Sequence, residues 1–130
     1  MNISEITNPD KELVDIAKNL INNRKSKLST VGCALKTTNG KVFRGVSVEP
    51  RHSGPCHSCA EYSAVGTMQT DGNYKIETIV AVGEDGTILP PCGRCREMLK
   101  EFGNPYVIIQ ENSKLFKLKL EEIIPYWESK

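Results

Sequence analysis

Leu13, Ile16, Ala17, Leu20 and Ile21 recur at intervals of three and four residues. That spacing predicts an amphipathic helix with one buried stripe. Asn8-Pro9-Asp10 reads as its start, with Asn as N-cap, Pro in the first turn and an acid at the positive end. The helix is expected to run to about Arg24. Two apolar-rich runs, Val31–Thr38 and Lys41–Val48, flank Asn39-Gly40, a strong hairpin signal. Cys59 to about Gln69 reads as a second helix, stopped by Asp71-Gly72-Asn73. Ile76–Gly83 holds the run Ile79-Val80-Ala81-Val82, which suits a central strand buried on both faces. Pro90-Pro91 interrupt the chain, and Cys92 to about Phe102 predicts a third helix, ended by Gly103-Asn104-Pro105. Tyr106–Gln110 is a fourth strand. Leu115–Leu118 follows a turn at Glu111-Asn112-Ser113 as a fifth, and Leu120–Ile124 predicts a short final helix. The order α-β-β-α-β-α-β-β-α implies an α/β fold, a mixed sheet with helices on both faces.

Composition narrows the class. A chain of 130 residues fits one domain, 1–130, large enough to bury a core without disulfide staples. At 38% hydrophobic and 25% charged it is neither disordered nor collagen-like. No apolar run reaches the roughly 18 residues of a membrane span, and Met1-Asn2-Ile3-Ser4-Glu5 lacks the basic start and apolar core of a secretory signal. The net charge of +1, from 17 basic and 16 acidic residues, gives no support to phosphate-gripping polynucleotide binding. Lys114–Leu120 alternates Lys with Leu and Phe, and is read as a solvated strand edge guarded by lysines.

The chemistry lies in the cysteines. Of Cys33, Cys56, Cys59, Cys92 and Cys95, four form two C-x-x-C pairs. An odd count without a signal peptide argues against a disulfide framework. In a reducing cytoplasm the spacing points to metal. One reading closes a structural zinc site with all four paired cysteines. The other uses three thiolates and leaves a position open for water. Glu61, two residues after Cys59, favours the second, because zinc-water chemistry needs a nearby carboxylate to move protons. Cys59 and Glu61 converge on one water only if Cys59 stands at the very start of its helix. Cys33, in a strand, reads as a small buried apolar residue.

Cys59-Ala60-Glu61 followed by Pro91-Cys92-Gly93-Arg94-Cys95 matches the zinc deaminase pattern, with Cys in the first ligand position. Val31-Gly32-Cys33-Ala34-Leu35, Asn39-Gly40-Lys41-Val42-Phe43-Arg44-Gly45 and Ile123-Ile124-Pro125 extend the match to nearly the whole chain. The sequence resembles the small homotetrameric cytidine deaminases, nearest the blasticidin S deaminase branch, which also carries P-C-G-R-C. The resemblance implies a three-layer α/β/α sandwich with a mixed five-stranded sheet. It implies Zn2+ on Cys59, Cys92 and Cys95, with Glu61 as the catalytic proton shuttle. The reaction would be hydrolytic deamination at C4 of a cytosine nucleoside, with blasticidin S as the alternative substrate. A cytoplasmic homotetramer acting on a small molecule, with no membrane or nucleic-acid partner, is expected. A non-catalytic structural zinc module is the alternative from another class.

The sequence also departs from the family. Cytidine deaminases often place Arg after the motif glutamate, where this chain has Tyr62; Arg94 is the candidate for compensating the charge of three thiolates. The family's N-x-E sugar-binding pair reads Ser47-Val48-Glu49 here, so Ser47, Glu49 and Ala60 are the expected substrate-binding residues. An aromatic residue found two positions before V-G in many relatives is Ser29. Arg51, His52 and His57 are expected at the mouth of the site. His57 is read as a loop residue near the substrate, Cys56 as a spare thiol, and Tyr126 and Trp127 as C-terminal packing or neighbour-site aromatics.

Overall fold

The computed structural model describes residues 2–124; the expectations for Pro125, Tyr126 and Trp127 lie outside them. The elements are α1 (Asn8–Asn22), β1 (Val31–Thr37), β2 (Val42–Val46), α2 (Ala60–Thr70), β3 (Ile76–Gly83), β4 (Ile88–Leu89), α3 (Gly93–Leu99), β5 (Tyr106–Glu111) and β6 (Lys114–Lys119). Short 3-10 turns lie at Gly54–Cys56, Lys100–Phe102 and Leu120–Ile123. The predicted third helix is therefore shorter, tightening into a 3-10 turn before Gly103. The final helix is 3-10 rather than α.

The sheet is six-stranded and mixed, in the order β2-β1-β3-β5-β6, with β4 paired to β3. The expected five strands are all present. The sixth is β4, whose two residues pair as Ala81 with Leu89 and Val82 with Ile88. Two residues are too few to leave an alternation in the sequence. β3 and β5 are parallel, and the remaining neighbours are antiparallel.

The strand period of two sends alternate residues to opposite faces. Cys33, Leu35, Ile79 and Val107 meet Ala64, Val65 and Met68 of α2. Ala34, Val80, Val82 and Ile108 meet Leu13, Val14 and Ala17 of α1. Helices thus cover both faces, and β3 is buried along nearly its full length. Two glycines set how closely the layers approach. A Cβ on Gly32 would lie 2.9 Å from the Ala17 carbonyl oxygen of α1. One on Gly45 would lie 2.3 Å from the Ala64 nitrogen of α2. The helix that opens beside the thiols is therefore seated directly on the hairpin.

Two further expectations change. The N-cap of α1 is Thr7, not Asn8: the Thr7 hydroxyl accepts from the Asp10 amide, and the Asp10 carboxylate accepts from the Thr7 amide. Asp10 at the third helical position supplies the returning half of a capping box, which displaces the cap by one residue. Of the lysines of β6, Lys114 is exposed as expected, but Lys117 and Lys119 are not freely solvated. Lys117 donates to Asp10 at 2.8 Å with its side chain only 13% exposed, and Lys119 donates to the Asn104 carbonyl. Both ammonium groups lie over the Tyr106 ring. The Ser4 backbone pairs with Lys117 along the outer edge of β6.

Candidate metal and catalytic site

Cys59 is the N-cap residue of α2 and Cys92 that of α3, both with extended backbone. Neither side chain caps its helix, so both sulfurs are free to face inward. Cys95 lies one turn into α3 and is fully buried. Glu61, the second residue of α2, is buried with 6% exposure. Because Cys59 precedes the first helical residue, its side chain and that of Glu61 turn to the same space. They line one cavity of about 130 Å³.

The three sulfurs all lie within 4.8 Å of one another. Cys59 Sγ and Cys92 Sγ are 3.8 Å apart. Two sulfurs at the usual zinc–sulfur distance of about 2.3 Å, at a tetrahedral angle, are about 3.8 Å apart. The donor set therefore fits zinc. Cys56 is exposed and stands outside this group, which among the described residues contains three thiols. The fourth C-x-x-C cysteine does not close the site. Cys33 is fully buried in β1, and burial pushes its thiol well up.

The electrostatics ask for a cation. Burial, then the neighbouring Glu61 charge and the other sulfurs, push Cys95 strongly up. Burial also raises Cys59, with repulsion from Cys92 and Glu61 adding to it. Cys92 goes the other way: burial opposes its ionisation, but hydrogen bonds from the Cys95 amide and from the other thiols outweigh it. Glu61 is raised by burial, against the pull of its own amide and of His57. A divalent cation among these groups is what would let the thiols ionise together.

The walls come from several elements. Val31, Ala60, Ala81, Leu89 and Pro90 supply apolar surface, and Ser47, His57 and Glu61 supply polar groups. His57 Nε2 is 3.6 Å from Cys59 Sγ. Its loop is held by backbone pairing of Val48 with Ser58 and by Arg94, which donates to the His57 carbonyl at 3.4 Å. Arg94 is exposed and stacks over Tyr62, 4.5 Å from the ring centroid. Tyr62, and behind it the Cys59 and Cys95 sulfurs, favour the charged guanidinium. Arg96 anchors α3 by donating to the carbonyls of Pro91 and Ile123. Arg51 and His52, expected at the mouth, are exposed and do not line the cavity.

Ser47 is 1% exposed at the end of the hairpin. Glu49 stands beside the cavity rather than in its wall. Its carboxylate accepts from the Ser47 hydroxyl at 2.6 Å and from the Thr30 amide at 2.8 Å. Thr30 Oγ1 lies within 2.9 Å of both its oxygens. Sequence reading missed Thr30, because nothing in the chain advertises a partner nineteen residues away.

A family model, the cytidine and deoxycytidylate deaminase zinc-binding region, matches residues 7–111. The chain belongs to this deaminase family. It is 32% identical over 135 residues to the blasticidin-S deaminase of Bacillus cereus, covering 96% of each chain. It is 34% identical over 79 residues to a cytidine deaminase of Mycobacterium tuberculosis, covering 61% of this chain and 59% of that one. The solved structure of cytidine deaminase from Mycobacterium leprae matches with a TM-score of 0.76 at 28% identity, over 92% of this chain and 99% of that one. The family is one of zinc-binding hydrolytic deaminases, and Cys59, Cys92 and Cys95 are positioned to bind a metal. No helix among the described residues is long and apolar enough to cross a membrane.

Proposed function

We propose that this chain deaminates cytosine nucleosides at C4, with Glu61 as the proton carrier and Cys59, Cys92 and Cys95 holding the metal. The observation that carries the reading is that a buried carboxylate and two of three gathered sulfurs, those of Cys59 and Cys92, line one small cavity. Bound zinc supplies Lewis-acid activation of a water molecule. Glu61 takes a proton from the attacking water. It gives that proton to the ring nitrogen N3, then takes the second proton from the hydroxyl now on C4 and passes it to the amine, so that the C4–N bond breaks, ammonia leaves and a uracil ring remains. Burial raises the Glu61 carboxyl, which suits a group that must both accept and return a proton. Arg94 offsets part of the negative charge of the thiolate set from outside.

A cavity of about 130 Å³ is smaller than the roughly 300–1,000 Å³ that encloses a drug-sized ligand. It takes the base, against Ala60 and Ala81, and leaves the sugar across the rim near Ser47 and Glu49. Leu89, in the cavity wall, is 37% exposed, and the neighbouring Val48 is 47% exposed. A second subunit seated over this rim would cover them, which supports a homotetramer. The whole chain then acts as one deaminase domain, in a reducing cytoplasm that keeps its thiols free.

Blasticidin S is the second substrate reading, favoured by the match to the Bacillus cereus enzyme over nearly the full length of both chains. The test follows the ultraviolet spectra of cytidine and of blasticidin S, separately, with zinc-loaded protein. Cytidine turnover is expected, and Glu61→Gln should lower kcat by about 10²–10⁴-fold with zinc retained. Turnover of blasticidin S alone would replace the nucleoside reading, and turnover unaffected by Glu61→Gln would remove Glu61 from the chemistry.

A further inference from the structure

A thiol that holds a metal gives up its proton. Three such sulfurs around one divalent cation carry an excess of negative charge, and each gains from a hydrogen-bond donor. Cys92 has one in the Cys95 amide. Cys59 opens α2, and its side chain caps nothing there. The group that reaches it is the His57 ring, whose Nε2 lies 3.6 Å from Cys59 Sγ. A metal-bound thiolate has no hydrogen and only accepts, so the hydrogen between these two atoms sits on Nε2. The ring is well held. The His57 amide donates to the Gly54 carbonyl at 3.1 Å, and Val48 and Ser58 exchange backbone hydrogen bonds at 2.9 Å. Arg94, the residue expected to offset the thiolate charge, makes no hydrogen bond to a sulfur among the described residues. Its guanidinium stacks over Tyr62 and donates to the His57 carbonyl at 3.4 Å.

We propose that His57 is a positioning residue that donates a hydrogen bond from Nε2 to the Cys59 thiolate, and that Arg94 acts on the metal site through the His57 backbone. The proposal rests on the zinc reading of Cys59, Cys92 and Cys95 and deepens it. The bond has two effects. It lowers the cost of an ionised Cys59, which tightens metal binding. It also draws charge off the sulfur, so that the metal keeps more of its Lewis acidity for water. His57 is not itself a ligand in this arrangement. At zinc–nitrogen and zinc–sulfur distances of about 2.0 and 2.3 Å, a fourth tetrahedral ligand stands about 3.6 Å from all three sulfurs. His57 meets that distance only to Cys59, and lies outside the group of atoms that are all within 4.8 Å of one another.

The test measures zinc affinity by competition with a chromogenic chelator, and needs no substrate. His57→Ala should weaken zinc binding about tenfold, the low end of the range for losing a metal's outer hydrogen-bond partner. His57→Gln, whose amide N–H can stand near the place of Nε2, should recover most of that loss. The zinc-free variants should unfold at the same urea concentration as the zinc-free wild type. In cobalt-loaded protein, the sulfur-to-metal charge-transfer band should move to longer wavelength in His57→Ala, because a thiolate without its donor gives up an electron more easily. The band should return in His57→Gln. His52→Ala, in an exposed part of the same loop, should match the wild type in both readouts. Arg94→Leu should weaken zinc binding less in the His57→Ala background than alone; equal losses would remove the part given to Arg94. Zinc affinity and band position unchanged in His57→Ala overturn the proposal, as does a loss that His57→Gln does not relieve. An imidazole nitrogen bound to zinc in the wild-type X-ray absorption spectrum would overturn it by making His57 a ligand. If the wild type deaminates no cytosine compound, the proposed reaction fails separately, and the zinc affinities still decide the role of His57.

Discussion

The start of α1 and the starts of α2 and α3 treat the same physical problem differently. Every helix N-terminus leaves backbone N–H groups without helical partners. At α1 the chain satisfies them itself through the reciprocal Thr7–Asp10 box, and Lys117 closes over Asp10 from the sheet edge. At α2 and α3 the cap residues are Cys59 and Cys92, whose side chains cap nothing. Sulfur stands where an oxygen cap would stabilise the helix, so the positive helix ends help to carry thiolate charge. The comparison teaches that stabilising devices are concentrated on the α1 face and relinquished where the chemistry is placed.

The sharpest way to break this comparison is Cys92→Ser. It should abolish stoichiometric zinc binding, and turnover should fall by more than the roughly 10–100-fold typical of losing a metal's outer hydrogen-bond partner. Urea unfolding of the zinc-free variant should match that of the zinc-free wild type, because Cys92 is exposed. Retention of zinc by atomic absorption, together with turnover, would show that the uncapped end of α3 is not where the chemistry lies.

On the opposite face, Asp10→Asn should cost about 3–5 kcal/mol, since it strands the part-buried Lys117 ammonium. Lys117→Met in the same chain should recover part of that loss. The kcat of the folded protein should not change. The pH dependence follows. Burial raises the Asp10 carboxyl, but hydrogen bonds from Lys117 and Thr7 outweigh it, so its folded value lies below the unfolded one. Its contribution is therefore complete above about pH 4 and lost as pH falls through the folded value. Between pH 5 and pH 3, urea stability should drop more steeply in the wild type than in Asp10→Asn. Equal slopes would remove Asp10 from the acid response.

The smallest expected effect sharpens the contrast. Thr7→Ala should cost about 0.5–2 kcal/mol in urea unfolding, while zinc content and kcat remain those of the wild type. A change in kcat would mean that the two faces are coupled.

Much of this molecule was legible in its sequence, for local reasons. The stripe from Leu13 to Ile21, the Asn39-Gly40 hairpin and the apolar run of β3 each carry their periodicity within a few residues. Cys59-Ala60-Glu61 and the P-C-G-R-C segment likewise state their chemistry in short spans. Misread details depended on distant partners. Lys117 looked like a solvent-facing edge residue because Asp10, 107 positions earlier, is invisible from β6. The cap of α1 shifted by one residue because Asp10 turns back to Thr7. β4 exists because β3 lies alongside it.

By itself, then, the sequence determined the order of elements, the two-faced burial of the sheet and the set of groups able to hold zinc and move protons, since each is written in residue type and short-range spacing. Only the tertiary structure decided which thiols meet. It left Cys56 outside, placed Glu61 in the wall of the same cavity as Cys59, and joined Ser47 to Glu49, Thr30 and Val31. Those outcomes depend on the directions of side chains brought together from different strands and helix ends, and no local pattern encodes such a convergence.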